Sequence, residues 1–306
     1  MAATAILTAC AHGAPQKGVA TQSNFAPSWR SLPKAEIAPN LVNWRKLDPE
    51  NVLVIETNKG QIDIELYPDI APMHVAQIKK LARRGFYDGI VFHRVIDRFM
   101  AQTGDPTGTG EGGSDLPNIK AEFTFRRPLN GDFVATAEQA GLRLGFYHAL
   151  PVSSQADWIA SRSQDQRVTA WGMHCPGVAS MARDDDPNSA NSQIFLMRDP
   201  YLSLDKRYSI WGMAIGGREI IKAIQTGEPP AQPDKMIRVR ILADIPAAER
   251  KNYLVMRTDA PGLKRLIGQV RAAKGADFSP CDLELPVLGP LKQQDFTTFG
   301  EVAPNS

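Results

Sequence analysis

Few residues in this chain have the type and spacing to do chemistry, and most of those fail on inspection. The five histidines, His12, His74, His93, His148 and His174, show no metal-ligand spacing such as HxxxH. The run Asp184-Asp185-Asp186-Pro187-Asn188 resembles the opening of a calcium loop. Ser189, however, stands at its sixth position, where glycine is needed, and Phe195 at its twelfth, where a glutamate would close the site. No metal is therefore expected. No two of the three cysteines, Cys10, Cys175 and Cys281, are spaced as CxxC, which sets aside a zinc ribbon or a thioredoxin-type redox site. Residues 86–113 remain. There Arg94 stands in a strand-like run beside Val91 and Phe92, with Phe99, Met100 and Gln102 within eight residues of it. By residue type alone this is core packing for Phe99 and Met100, with Arg94 as an edge residue or ion-pair partner.

The same stretch closely resembles the cyclophilins, the peptidyl-prolyl cis-trans isomerases. Phe92-His93-Arg94-Val95-Ile96, then Phe99-Met100-Ala101-Gln102-Thr103-Gly104-Asp105, is similar to their most characteristic segment. Gly108-Thr109-Gly110-Glu111-Gly112-Gly113 resembles the glycine-rich loop that follows it. Gly177-Val178-Ala179-Ser180-Met181-Ala182 and Ser192-Gln193-Ile194-Phe195 resemble the second half of the active site. Leu204-Asp205 and Tyr208-Ser209-Ile210-Trp211-Gly212 resemble the loop and strand after it. The resemblance runs from about Val52 to about Ile245, in order. It implies a mainly all-β fold, an eight-stranded antiparallel barrel capped by two helices. It also implies that Arg94 is catalytic. His93, Phe99, Met100, Gln102, Gly110, Ala182, Arg183, Gln193, Phe195, Leu204 and Tyr208 would bind substrate, a proline-containing polypeptide segment, with no cofactor.

Such a site suits the reaction. The X–Pro amide resists rotation by about 18–20 kcal/mol because its nitrogen lone pair is shared with the carbonyl. In the twisted transition state that pair returns to the nitrogen, where a guanidinium, charged at any working pH, can donate to it. Phe99, Met100, Phe195 and Leu204 would form the apolar pocket for the ring, and Gln102 would hold Arg94 or the substrate carbonyl. Three features depart from the family. Ala182-Arg183-Asp184 replaces the usual Ala-Asn-Ala, and Tyr208 replaces a histidine. The customary pocket Trp is absent, with Tyr201 and Ser203 in its neighbourhood. These changes keep open a non-catalytic Pro-peptide-binding module on the same fold, and an insertion at residues 137–174 keeps open an envelope assembly subunit.

The elements that must position these residues are legible as patterns. Residues 52–57 and 61–66 flank Asn58-Lys59-Gly60 and read as a hairpin. Asp69 and Pro72 mark the start of a helix with Val75, Ile78 and Ala82 on one face, ending at Gly85. Short strands are expected near 91–95, 98–102, 178–182, 193–197, 209–214 and 236–243, and a second helix near 218–226. Residues 137–174 read as an insertion: a lid, a partner site or, in the favoured reading, padding. Beyond the domain at 51–246, an extension at 247–306 has a helix opened by Asp259 and Pro261. Its apolar stripe of Leu263, Leu266, Ile267 and Val270 must be buried, on the barrel or the insertion. From about Leu288 the chain lacks periodicity and reads as loose or laid along the surface.

The chain's 306 residues, 35 Lys+Arg against 33 Asp+Glu, give a formal charge of +2, which leaves no footprint for nucleic acid. No apolar run reaches the roughly 18 residues needed to cross a bilayer. Leu7-Thr8-Ala9-Cys10 resembles a bacterial lipobox, but its apolar stretch is short and no Lys or Arg precedes it. Either the true start lies upstream and Cys10 is a lipid-anchor site, or Cys10 is an ordinary cysteine. Residues 11–50, with five prolines, read as a flexible tether on which Trp29 and Trp44 dock against the body. Export to the periplasm or cell envelope is expected. An oxidising compartment would favour joining Cys175 to Cys281, the alternative being two buried thiols.

Overall fold

The structure, a computed structural model, describes residues 41–291. Cys10, Trp29 and the signal-like segment lie outside the described residues. In chain order the strands are β1 (Trp44–Lys46), β2 (Val52–Thr57), β3 (Gly60–Leu66), β4 (Arg94–Ile96), β5 (Met100–Thr103), β6 (Phe125–Arg127), β7 (Phe133–Gln139) and β8 (Leu142–Tyr147). There follow β9 (Leu150–Gln155), β10 (Val168–Gly172), β11 (Val178–Met181), β12 (Ile194–Met197), β13 (Ile210–Gly216), β14 (Met236–Ile241), β15 (Asn252–Met256) and β16 (Val287–Leu291). The helices are α1 (Pro72–Arg83), α2 (Arg218–Ala223) and α3 (Pro261–Lys274).

Eight strands form one antiparallel sheet in the order β14-β2-β3-β13-β11-β12-β5-β4. Isolated antiparallel bridges from Val91 to Lys235 and from Val95 to Gly227 bring its two edges together, so the sheet curls around a core. Leu53, Ile55, Ile62, Ile64, Phe92 and Trp211 fill that core, and α1 (Val75, Ile78, Leu81) and α2 (Ile221) close onto it. Each such side chain contributes roughly 1.5–3 kcal/mol on burial. Asp69 does not cap α1 as its position suggested. The N-cap is Ala71, and the first-turn N–H groups of Met73 and His74 donate instead to the carboxylate of Glu122, at 3.1 Å each. The cap is supplied from across the fold, so no local pattern announces it.

In β3 the polar residues alternate with Ile62, Ile64 and Leu66, a pattern that normally marks a face turned to water. Here that face is covered. Asp63 and Glu65 are 5% and 6% exposed. The Tyr253 hydroxyl donates to Asp63 at 2.6 Å, and Arg45 grips Glu65 with two bonds of 2.6 and 2.8 Å. The cover is a three-stranded sheet, β1-β15-β16, with α3 packed on it. Trp44, Leu263, Leu266, Ile267 and Val270 share a second core with Val52 and Val54 of β2. Two expectations are corrected here. The tether does not run to residue 50, because Trp44–Lys46 pairs with β15, and Val287–Leu291 is not loose, because it pairs with β15 too. The sequence cue misled because β1 and β16 are too short to show a period.

The insertion is also more than padding. Its strands β8, β9 and β10 join β6 and β7 in a five-stranded sheet, β6-β10-β9-β8-β7. Its Leu144, Leu150, Val152 and Ala170 share a third apolar core with Met100, Phe195 and Met213 of the barrel. The inserted sheet is therefore built against the strands that carry the residues of residues 86–113 and 178–195.

Candidate active site

At the entry to β4 the two-residue repeat slips, and that slip makes the site. Phe92 and Val95 both point into the core, three residues apart, so the chain between them leaves the sheet pattern. That irregularity presents both His93 and Arg94 to the outer face. From Arg94 the strand register runs sideways: Arg94 opposes Gln102 on β5, Gln102 opposes Phe195 on β12, and Phe195 opposes Ser180 on β11. Residues 86 positions apart in the chain, Arg94 and Ser180, thus lie on one row because antiparallel pairing carries each outward side chain beside the next.

A cavity of about 660 Å³ opens over this row. Arg94 and His93 stand at one side, with Gln102 between them and the apolar floor of Phe99, Met100 and Phe195. Leu204, Tyr208, Ala182, Arg183 and Gly110 complete the wall. Of the residues singled out in the sequence, only Gln193 lies outside this cavity. It lines an adjoining cleft of about 210 Å³ that shares Gln102, Gly110, Ala182 and Arg183 with the first. Four lining residues were missed: Gly108 and Thr109 of the glycine loop, and Glu228 and Pro229 after α2. The loop glycines belong to a matched segment and could have been included. Glu228 had no signal, since it meets Arg94 from 134 residues away.

Polar contacts order the site. Gln102 Nε2 donates to Gln193 Oε1 at 2.9 Å, and Gln193 Nε2 donates to the carbonyls of Gly110 and Gly112 at 2.7 and 2.9 Å. The glycine loop wraps the Asp105 carboxylate, which accepts from Thr107 N, Thr109 N and Gly110 N at 2.6–3.0 Å. Burial raises this carboxyl, but the hydrogen bonds from Thr107, Gly110 and Gly112 outweigh it and hold Asp105 well below the usual carboxylate range. Gly110 has φ +93°, and a Cβ there would lie 3.6 Å from the His93 ring. Burial, with the Arg94 charge nearby, pushes His93 down despite the opposing pull of Asp105, which favours the neutral ring.

The departures from the family also find places. Arg183 does not point freely into solvent: Nε donates to Arg207 O at 3.0 Å, Nη1 to Asp184 O at 2.6 Å, and its guanidinium lies 4.7 Å over the Tyr208 ring. Tyr208 meets Phe195 edge-on at 5.6 Å. Tyr201 packs on Phe99 at 4.6 Å, backing the apolar wall where a Trp is absent. Beneath Phe195, His174 Nδ1 lies 2.8 Å from Asp205 Oδ1 and Nε2 lies 3.0 Å from Ser180 Oγ. The trio has the order of a serine-nucleophile triad, yet Ser180 and His174 are fully buried, so no acyl group reaches the hydroxyl. It is a packing device under the floor.

Comparison with known proteins agrees with this geometry. A family model described as "Cyclophilin type peptidyl-prolyl cis-trans isomerase/CLD" matches residues 52–242. A protein of Brucella suis biovar 1 (strain 1330) named "Probable peptidyl-prolyl cis-trans isomerase" is 34% identical over 213 residues, 64% of this chain and 85% of its own. A relative from Aspergillus oryzae named "Peptidyl-prolyl cis-trans isomerase-like 1" is 29% identical over 197 residues, 63% of this chain and 96% of its own. The crystal structure of cyclophilin AquaCyp293 from Hirschia baltica superposes with a TM-score of 0.76 at 40% identity, covering 82% of this chain and 95% of that one.

Proposed function

The chain belongs to the cyclophilin-type peptidyl-prolyl cis-trans isomerases, and from that premise we propose that Arg94 is its catalytic residue and that proline-containing polypeptide segments bind across the cavity above β5 and β12. The observation that carries the assignment is the Arg94 guanidinium beside the apolar floor of Phe99, Met100 and Phe195. In that setting its field is stronger than in water. The proline ring sits against Phe99, Met100, Phe195 and Leu204. As the X–Pro bond twists, the nitrogen becomes a hydrogen-bond acceptor, and an Arg94 N–H donates to it. This bond strengthens only in the transition state, which is what accelerates the step. An acceleration of about 10⁴–10⁵ requires only about 5.5–7 kcal/mol. His93, kept neutral, lines the cavity without adding to the charges of Arg94, Arg183 and Glu228.

Arg94→Ala tests this. The side chain is 43% exposed, so the fold should survive its loss. Turnover on a short X–Pro peptide should fall about 10²-fold, the usual cost of one preorganised donor. An unchanged rate would overturn the assignment.

We further infer that the protein works in an oxidising compartment outside the cytoplasm, acting on exported proteins. What supports this reading is the bond between Cys175 and Cys281, whose Cα atoms lie 4.9 Å apart; disulfides persist where glutathione and thioredoxin do not reduce them. Lipid attachment at Cys10 stays part of the same reading, carried by the lipobox-like residues alone.

A further inference from the structure

Arg94 has a partner that the barrel register does not supply. Its Nε donates to Glu228 Oε2 at 2.7 Å, a short charge-assisted bond. Gln102, its neighbour by register, lies 3.5 Å from Nη1, at the outer limit of a hydrogen bond. Glu228 is thus the stronger restraint on the guanidinium, and Nη2 keeps no protein acceptor among the described residues. Resting on the reading of Arg94 as the catalytic donor, we propose that Glu228 is a positioning residue, which fixes the Nε edge of Arg94 so that its remaining N–H groups face the bound X–Pro bond.

The loop that carries Glu228 is built to hold it there. Gly227 exchanges both backbone hydrogen bonds with Val95, the strand neighbour of Arg94, at 2.8 Å each. Gly227 has φ +150°, and a Cβ at this position would come within 2.4 Å of Pro230 Cα, so only glycine makes the turn. Asp234 ties the far end, accepting from Gln225 N at 2.7 Å and from Asn58 Nδ2 at 2.6 Å. The carboxylate is therefore presented opposite Arg94 by a fixed turn.

Arg94 and Glu228 are 43% and 52% exposed, and ion pairs this open to solvent add little to stability. A role in folding and a role in positioning are separable for that reason. The experiment compares Glu228→Ala, Glu228→Gln, Arg94→Ala and the double Ala variant on a short X–Pro peptide, with kcat and KM resolved. The Arg94 Nε–H is followed by proton–nitrogen NMR. Glu228→Ala should lower kcat about 5–10-fold with KM within about twofold, as expected for a misdirected donor. Glu228→Gln, which keeps an acceptor oxygen, should recover most of the loss. On the Arg94→Ala background the Glu228 change should cost nothing more, and in Glu228→Ala the Arg94 Nε–H should exchange faster with water. Wild-type kcat in Glu228→Ala, a loss confined to KM, or an equal loss without Arg94 would each overturn the proposal. Full activity in Arg94→Ala would instead remove the catalytic reading on which it stands.

Discussion

Gln102 donates through its side-chain amide to Oε1 of Gln193 at 2.9 Å, so the two glutamines act as one bracket between the strand row and the glycine loop. The orientation of Gln193 is forced, because only its NH₂ can serve the two carbonyls of Gly110 and Gly112. Gln193→Glu keeps the shape and removes those donors, setting a carboxylate against two carbonyl oxygens. Stability should fall by about 1–3 kcal/mol, and kcat/KM by about tenfold as the loop beside His93 and Arg94 loosens. Thermal unfolding and peptide turnover check this; a Gln193→Glu variant that matches the wild type in both would refute the bracket.

A second expectation concerns pH. His148, at the end of β8, lies 3.3 Å from both Asp69 and Asp132, and its ring stacks on Tyr67 at 6.0 Å. It joins the inserted sheet to the barrel. Burial pulls its pKa down, but the neighbouring carboxylates of Asp132 and Asp69 outweigh this and raise it to about 9. A histidine whose folded pKa lies above the unfolded value of about 6.5 stabilises through its charged form. That contribution is complete below pH 6.5 and is lost as pH rises through about 9. It should amount to about 2 kcal/mol, allowing for the solvent-facing carboxylates. The melting temperature of the wild type should therefore fall between pH 6.5 and 9.5 more steeply than that of His148→Gln. Parallel curves would show that His148 does not titrate in this window.

The third concerns the covalent link. Cys175 is buried beside His174 in the core beneath the site, and Cys281 sits in the short turn Pro280–Asp282 of the extension. Their separation of 106 residues gives an upper figure of nearly 5 kcal/mol in the chain-entropy model, and about 2–4 kcal/mol is the expected cost of Cys175→Ser with Cys281→Ser. Hydrogen exchange should accelerate first in α3 and β15, the elements the bridge ties down. Alkylation and mass spectrometry of protein recovered from its own cells should find both sulfurs blocked. Two free thiols there would remove the support for export.

Much of the barrel and the heart of the site could be read without coordinates. Residues 52–66 announce the β2–β3 hairpin because alternating side chains and a glycine turn act within a few residues of one another. The apolar face of α1 and the stripe of α3 follow from spacing along one helix. The segment around Phe92-His93-Arg94 is recognisable by its resemblance to the cyclophilins, since by residue type alone it reads as core packing with an edge or ion-paired arginine. All but one of the residues singled out for substrate line the same cavity.

What the tertiary structure alone decided are relationships between distant segments. The alternation of β3 indicated a wet face for Asp63 and Glu65; the fold covers it with strands from both sides of the domain, β1 and β15, and meets the buried carboxylates with Arg45 and Tyr253. Glu122 caps α1 from a loop, and Glu228 grips Arg94 from beyond α2. The inserted sheet, featureless as a pattern, supports the floor of the pocket. The reason is one of range. Side-chain periodicity and turn chemistry are set by neighbours a few residues away, so the sequence alone determined the hairpin and the helix faces, and a family resemblance picked out the segment around Arg94. Hydrogen bonds and ion pairs across more than a hundred residues depend on where whole elements come to rest, and only the packed chain determines that.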